Sequence, residues 1–97
     1  QDLVNGVILA STNKKGANET FNITNGKGRT LFEFVKILKN YFSDLEYEVV
    51  ERDSFRPKRG TLSIKKAKNL LGYNPKFTIE KGIKNYLNYL KDINAFK

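Results

Sequence analysis

The apolar positions fall into four runs with the spacing of helices and two with the character of strands. In the first run Leu3, Val7 and Ala10 share one helical face, with Val4 and Ile8 beside it, and this repeat predicts a helix. Asp2 is placed to cap it, because its carboxylate can accept amide hydrogens of the first turn. The polar run from Ser11 to Asn18, with Gly16 inside it, predicts the stop. Thr20–Thr24 (TFNIT) is short and β-rich, which predicts a buried strand. Asn25–Gly28 (NGKG) reads as a tight turn. Thr30 and Glu33 then have the form of a capping box, ahead of Leu31, Phe34, Val35, Leu38 and Phe42 at helical spacing. Glu46–Glu51 (EYEVVE) alternates and then runs apolar, as strands do.

Strand, helix and strand over residues 20–51 predict a right-handed parallel βαβ unit. Beyond it, Ser63 precedes a short helix with Ile64, Ala67, Leu70 and Leu71 as its apolar face. Gly72 is its expected stop, and Pro75 blocks continuation. Thr78 caps a last helix that carries Ile79, Ile83, Leu87 and Leu90 on one face. The expectation for residues 1–97 is a small α/β domain of about four helices and a short parallel strand pair.

Composition narrows the chemistry. The 97 residues contain no cysteine and no histidine. Within them there is no disulfide, no thiolate metal site and no histidine general base. No apolar run approaches the length of a transmembrane helix. The chain opens at Gln1 without a leader pattern, directly on "DLVNGVILA", so its beginning is expected to lie elsewhere. A cytoplasmic protein without membrane contact is the expected setting. The net charge is +8, and 14 of the 18 cations are Lys, scattered along the chain (Lys14, Lys27, Lys39, Lys76, Lys84, Lys97). Basic proteins attract polyanions. This Lys bias, with abundant Asn and Ile, instead fits an AT-rich coding sequence, and nucleic acid is not the expected partner.

Four features could carry chemistry. Asn25–Gly28 precedes a helix start, where phosphates bind, but Leu31 stands where a dinucleotide fingerprint needs its third Gly. A plain turn is the better reading. Asn18 and Asn22 match a glycosylation triplet, which arises by chance in chains of this composition. The carboxylates, among them Glu46, Glu48 and Asp53, show no catalytic spacing, and no Ser has a base partner. The segment Arg52–Gly60 (RDSFRPKRG) remains, with three of the four arginines. Arginine favours bidentate contact with phosphate or carboxylate oxygens. Pro57 fixes its own φ and biases Arg56 toward an extended backbone. A loop after a parallel strand is where α/β folds bind ligands.

Arg56-Pro57, Lys66-Ala67, Leu71-Gly72-Tyr73-Asn74-Pro75 and Glu80-Lys81-Gly82-Ile83 follow one another in a characteristic order. In this order the run from Phe55 to Leu87 resembles the C-terminal end of NAD-dependent nucleotide-sugar epimerases and dehydratases. These are extended short-chain dehydrogenase/reductases. "TFNITNGKGRTLFEFV" is similar to that family's Tyr-Asn-Ile-Gly strand and following helix, and "DLVNGVILA" to its Asp-Val/Leu-Val helix. The likeness extends over nearly all 97 residues. Ser63 stands for the family's usual Asp and preserves a helix cap.

The resemblance implies a C-terminal substrate-binding domain, 1–97, of an enzyme most like UDP-glucose 4-epimerase. Arg56 would contact the diphosphate of a nucleotide sugar, such as a UDP-sugar. Arg59 and Lys58 stand where the family often has an acidic residue near the ribose, and Arg59 joins Arg56 as a substrate-binding candidate. No residue here is expected to be catalytic. The NAD site and the Tyr-x-x-x-Lys pair would lie in an N-terminal Rossmann half absent from this chain, which is expected to be inactive alone. A homodimer of the complete enzyme is left open. The alternatives are a dehydratase of the same family and a non-enzymatic basic nucleic-acid-binding module.

Overall fold

The computed structural model describes residues 1–95. Among them there are four α-helices, α1 (Asp2–Thr12), α2 (Leu31–Lys39), α3 (Lys65–Leu71) and α4 (Ile79–Asp92), and a 3-10 turn at Lys14–Gly16. No strand occurs among the described residues. The α/β expectation, with its parallel strand pair, is therefore incorrect, and the described chain is all-helical.

The two expected strands fail for different reasons. Phe21 and Ile23 do pack, against the buried cluster Ile64, Ala67, Leu71 and Tyr73. The segment is held by those side chains and by Asn22 Nδ2, which donates to the Ser63 carbonyl at 3.2 Å, not by a strand ladder. Residues 46–51 are exposed throughout, Tyr47, Val49 and Val50 included. β-Favouring residues fit a pleated, half-buried surface, and these stay largely exposed, with Lys39 Nζ 5.3 Å from the Tyr47 ring centre. The two segments also belong to different compact units, one formed by Gln1–Lys27 with Thr61–Lys97 and the other by Gly28–Gly60.

The two-segment unit holds most of the buried residues. Ala67 and Leu71 of α3 lie with Ile64 and Tyr73 at its centre, and Leu9 and Ala10 of α1 pack on them. Tyr73 is 2% exposed, and its hydroxyl donates to the Thr24 carbonyl at 2.8 Å. Burial, with the Asp2 carboxylate as a smaller influence, raises its pKa. Gly72 ends α3 in the left-handed conformation, φ 66, as its place in the sequence predicts. Thr78 caps α4 by accepting from the Lys81 amide.

Asp2 does not cap α1; Gln1 stands at that position without a side-chain bond. The Asp2 carboxylate instead accepts from the amides of Lys76 and Phe77, at 3.0 and 2.8 Å. Asn25 Nδ2 donates to the Phe77 carbonyl at 2.7 Å, and Asn13 Nδ2 to that of Leu70. Residues Asp2, Asn13 and Asn25 are thus bonded to the segment from Leu70 to Phe77 within one unit.

In residues 28–60 the capping box forms as the sequence predicts. Thr30 Oγ1 accepts from the Glu33 amide, and Glu33 Oε2 accepts from the Thr30 amide at 2.8 Å. The hydrogen bond donated by the Thr30 amide, aided by Arg29 Nε at 3.2 Å, holds the Glu33 carboxyl below its ordinary pKa. The apolar stripe is displaced from its expected line. Ile37 is the buried residue of α2, whereas Leu31 is exposed. A nine-residue helix in so short a segment has little surface to bury against.

Candidate functional site

The strongest candidate lies in the arginine-bearing loop of the 28–60 unit. Arg56 Nε meets Asp53 Oδ2 at 2.7 Å, with the Arg56 side chain 72% exposed. Arg52 Nη2 donates to the Pro57 carbonyl at 2.7 Å and lies 3.5 Å from that of Arg56. One arginine therefore braces the loop, and the other stands on it. The brace works because a guanidinium carries several donors in a fixed fork, here turned back on the carbonyls of its own loop. Pro57 adds rigidity through its ring.

The Asp53–Arg56 pair has the i,i+3 spacing at which side chains meet across a turn. That spacing was the available signal for Asp53, which looked idle among the carboxylates. It gives Arg56 a partner within the loop. As a surface pair it contributes about 0–1 kcal/mol, so a multiply charged oxyanion can displace or share it. Arg59 and Lys58 are exposed on the same loop. The loop brings Arg52, Asp53 and Arg56 together, and Arg59 follows three residues later.

The other sequence candidates resolve into structure. Gly26 has φ 82, and its amide donates to Thr24 Oγ1. A Cβ there would come within 2.8 Å of Ile64 Cδ1, so Gly26 is required by packing as well as by the turn, and the plain-turn reading accounts for it. Lys65, Lys66 and Lys68 are exposed on α3. Lys66 Nζ meets Glu19 Oε2 at 2.6 Å and lies 5.3 Å from the Phe21 ring centre. Lys81 lies over Phe77 in the same manner, at 4.9 Å. Among the described residues no group of three or more carboxylates is placed to hold a metal ion. No described helix is long and apolar enough to cross a membrane.

The chain is 32% identical over 89 residues to the uncharacterized protein MJ1055 of Methanocaldococcus jannaschii. The match takes in 91% of this chain and 27% of that protein, so the chain spans about a quarter of the length of the relative it matches. No protein-family model matches the chain. No solved structure matches it.

Proposed function

We propose that this chain is the substrate-side portion of an NAD-dependent nucleotide-sugar epimerase, cytoplasmic and inactive on its own, in which Arg56 engages the diphosphate of the nucleotide sugar. The observation that carries this reading is the braced loop. Arg52 bonds back to the Pro57 carbonyl, while Arg56 stands largely exposed with only a surface ion pair to exchange. The Arg-Pro, Leu-Gly-Tyr-x-Pro and Glu-x-Gly-Ile order supports the same reading. An Arg presented this way offers planar, bidentate donors to phosphate oxygens. Arg59, on the same loop, adds a second cation. Hydride transfer by NAD and removal of the sugar hydroxyl proton would fall to residues outside these 97.

The test is calorimetric titration of UDP into the complete enzyme and its variants. Charged hydrogen bonds contribute roughly 1.5–3 kcal/mol, so Arg56→Ala is expected to weaken binding by about ten- to a hundredfold. Lys68→Ala is the control, because Lys66 already serves Glu19 and Phe21. Equal losses in the two variants, or no loss in Arg56→Ala, would refute the assignment.

A polyanion-binding module is the competing reading, favoured by one observation: residues 1–27 with 61–97 carry eleven Lys and four carboxylates, a net +7. Against it, Phe21 and Phe77 are already faced by the chain's own lysines, which leaves Tyr86 and Tyr89 of α4 as exposed rings for base stacking in that unit. Sub-micromolar binding of an oligonucleotide at about 150 mM salt, tighter than ordinary non-specific binding, would favour that module.

A further inference from the structure

The chain contains two Asn-Gly pairs, Asn5-Gly6 and Asn25-Gly26, and the fold places them differently. Such a pair is prone to deamidation, because glycine has no side chain to screen its nitrogen. Asn5-Gly6 lies inside α1. There the Gly6 amide points along the helix axis, and Gly6 is buried against Ile23. Asn25-Gly26 lies outside any helix, with Asn25 exposed and Gly26 at φ 82. Both reacting groups of this second pair are held by hydrogen bonds. Asn25 Nδ2 donates to the Phe77 carbonyl at 2.7 Å, and the Gly26 amide donates to Thr24 Oγ1 at 3.1 Å. Phe77 is anchored in turn, because its own amide donates to Asp2 at 2.8 Å.

We propose that Asn25-Gly26 is a site of spontaneous deamidation that the fold restrains, and that reaction there irreversibly unties Asn25 from Phe77. In the step, the Gly26 nitrogen attacks Asn25 Cγ and forms a five-membered imide. The Cγ–Nδ2 bond breaks, and ammonia leaves with the proton lost by the Gly26 amide. Water then opens the imide to aspartate or isoaspartate. Nothing is oxidised or reduced. An ionised carboxylate only accepts hydrogen bonds, as does the Phe77 carbonyl, so the tie cannot re-form. The isoaspartate route also lengthens the main chain beside Gly26, where a Cβ would already come within 2.8 Å of Ile64 Cδ1. The rate at Asn25 therefore reports how often the Phe77 segment lets go.

The test is ageing of the complete polypeptide in mildly alkaline buffer, with and without urea. Peptide mass spectrometry and isoaspartyl labelling follow positions 5 and 25. In urea both should convert. In the folded protein Asn5 should persist, and Asn25 should convert at least about tenfold more slowly than in urea, as reaction through local opening requires. Asp2→Ala, which frees the Phe77 amide, should bring the folded rate at Asn25 toward the urea rate. Thr24→Val, which frees the Gly26 amide, is the second variant in case the first fails to fold. In aged protein, hydrogen exchange should quicken at the Lys76 and Phe77 amides that Asp2 accepts. Equal rates at Asn25 with and without urea would overturn the proposal, as would no conversion there in urea. So would an unchanged folded rate in both variants, or unchanged exchange after ageing. UDP titration reads Arg56 and not this site, so the two proposals fail separately.

Discussion

The two compact units of this chain are built on opposite terms. Residues 1–27 and 61–97 share a buried cluster of Ile64, Ala67, Leu71 and Tyr73 and are tied by bonds from Asp2, Asn13, Asn25 and Tyr73. Residues 28–60 bury Ile37 and otherwise rely on local bonds: the Thr30–Glu33 box, the Arg52 brace and the Asp53–Arg56 pair. The charges divide as well. All four arginines lie in residues 28–60, with three lysines and six carboxylates, for a net +1. The eleven other lysines lie in the better-packed unit. The net basicity of the chain and its candidate phosphate-binding residues are therefore separate features. The overall +8 is a poor guide to where an anion would bind.

Substitutions should show the contrast in packing. Tyr73→Ala should cost the most, about 3–5 kcal/mol, the range for emptying an aromatic core site. Urea unfolding followed by far-ultraviolet circular dichroism measures it. Tyr73 should also set the alkaline limit of this unit. Its pKa is raised in the folded state, so its contribution is complete below the ordinary phenol value of about 10 and is lost as pH rises from there through the raised value. Tyr73→Phe should flatten that decline.

Ile37→Ala should cost less, about 2 kcal/mol, at the low end for an aliphatic truncation because exposed surroundings can relax. Hydrogen exchange should quicken on α2 while the amides of α3 keep their rates. Equal quickening in both would show the two units to be one cooperative structure.

Thr30→Ala should have the smallest effect, about 1 kcal/mol for a lost cap, read from the same unfolding curves. Glu33 gives this cap a pH dependence. Its folded pKa is lowered, so its contribution is present above the usual carboxylate range and is lost as pH falls through the lowered value. Glu33→Gln should remove that acid-side slope.

Helices were legible from an apolar repeat with a cap or a stop beside it, as at Thr30, Gly72 and Thr78, although the expected Ser63 cap of α3 does not form and Ile64 stands at that position without a side-chain bond. These signals act within a few residues, so the sequence displays them. The strands expected at 20–24 and 46–51 do not form, because composition indicates what a segment could pair with and not whether a partner is present. Asp2 illustrates the same limit. Its carboxylate was matched to the nearest amides, yet it serves amides 74 and 75 residues away. At the candidate site, Arg56 stood out through the arginine cluster and Pro57. The bracing role of Arg52 did not, because an arginine turned back on its own backbone has the same sequence signature as one facing a ligand.

The hydrogen bonds that join the first 25 residues to Tyr73 and Phe77 also set an order in time. Thr24 and Tyr73 are 49 residues apart, Asn25 and Phe77 are 52, and Asp2 and Phe77 are 75. Contacts of such separation are slow to form, because the intervening chain must close first. During synthesis, α1 and the Phe21–Ile23 segment must wait, apolar and unpaired, until Tyr73 and Phe77 have emerged. A nascent chain stopped before Phe77 would leave them exposed to whatever binds such surfaces in the cell.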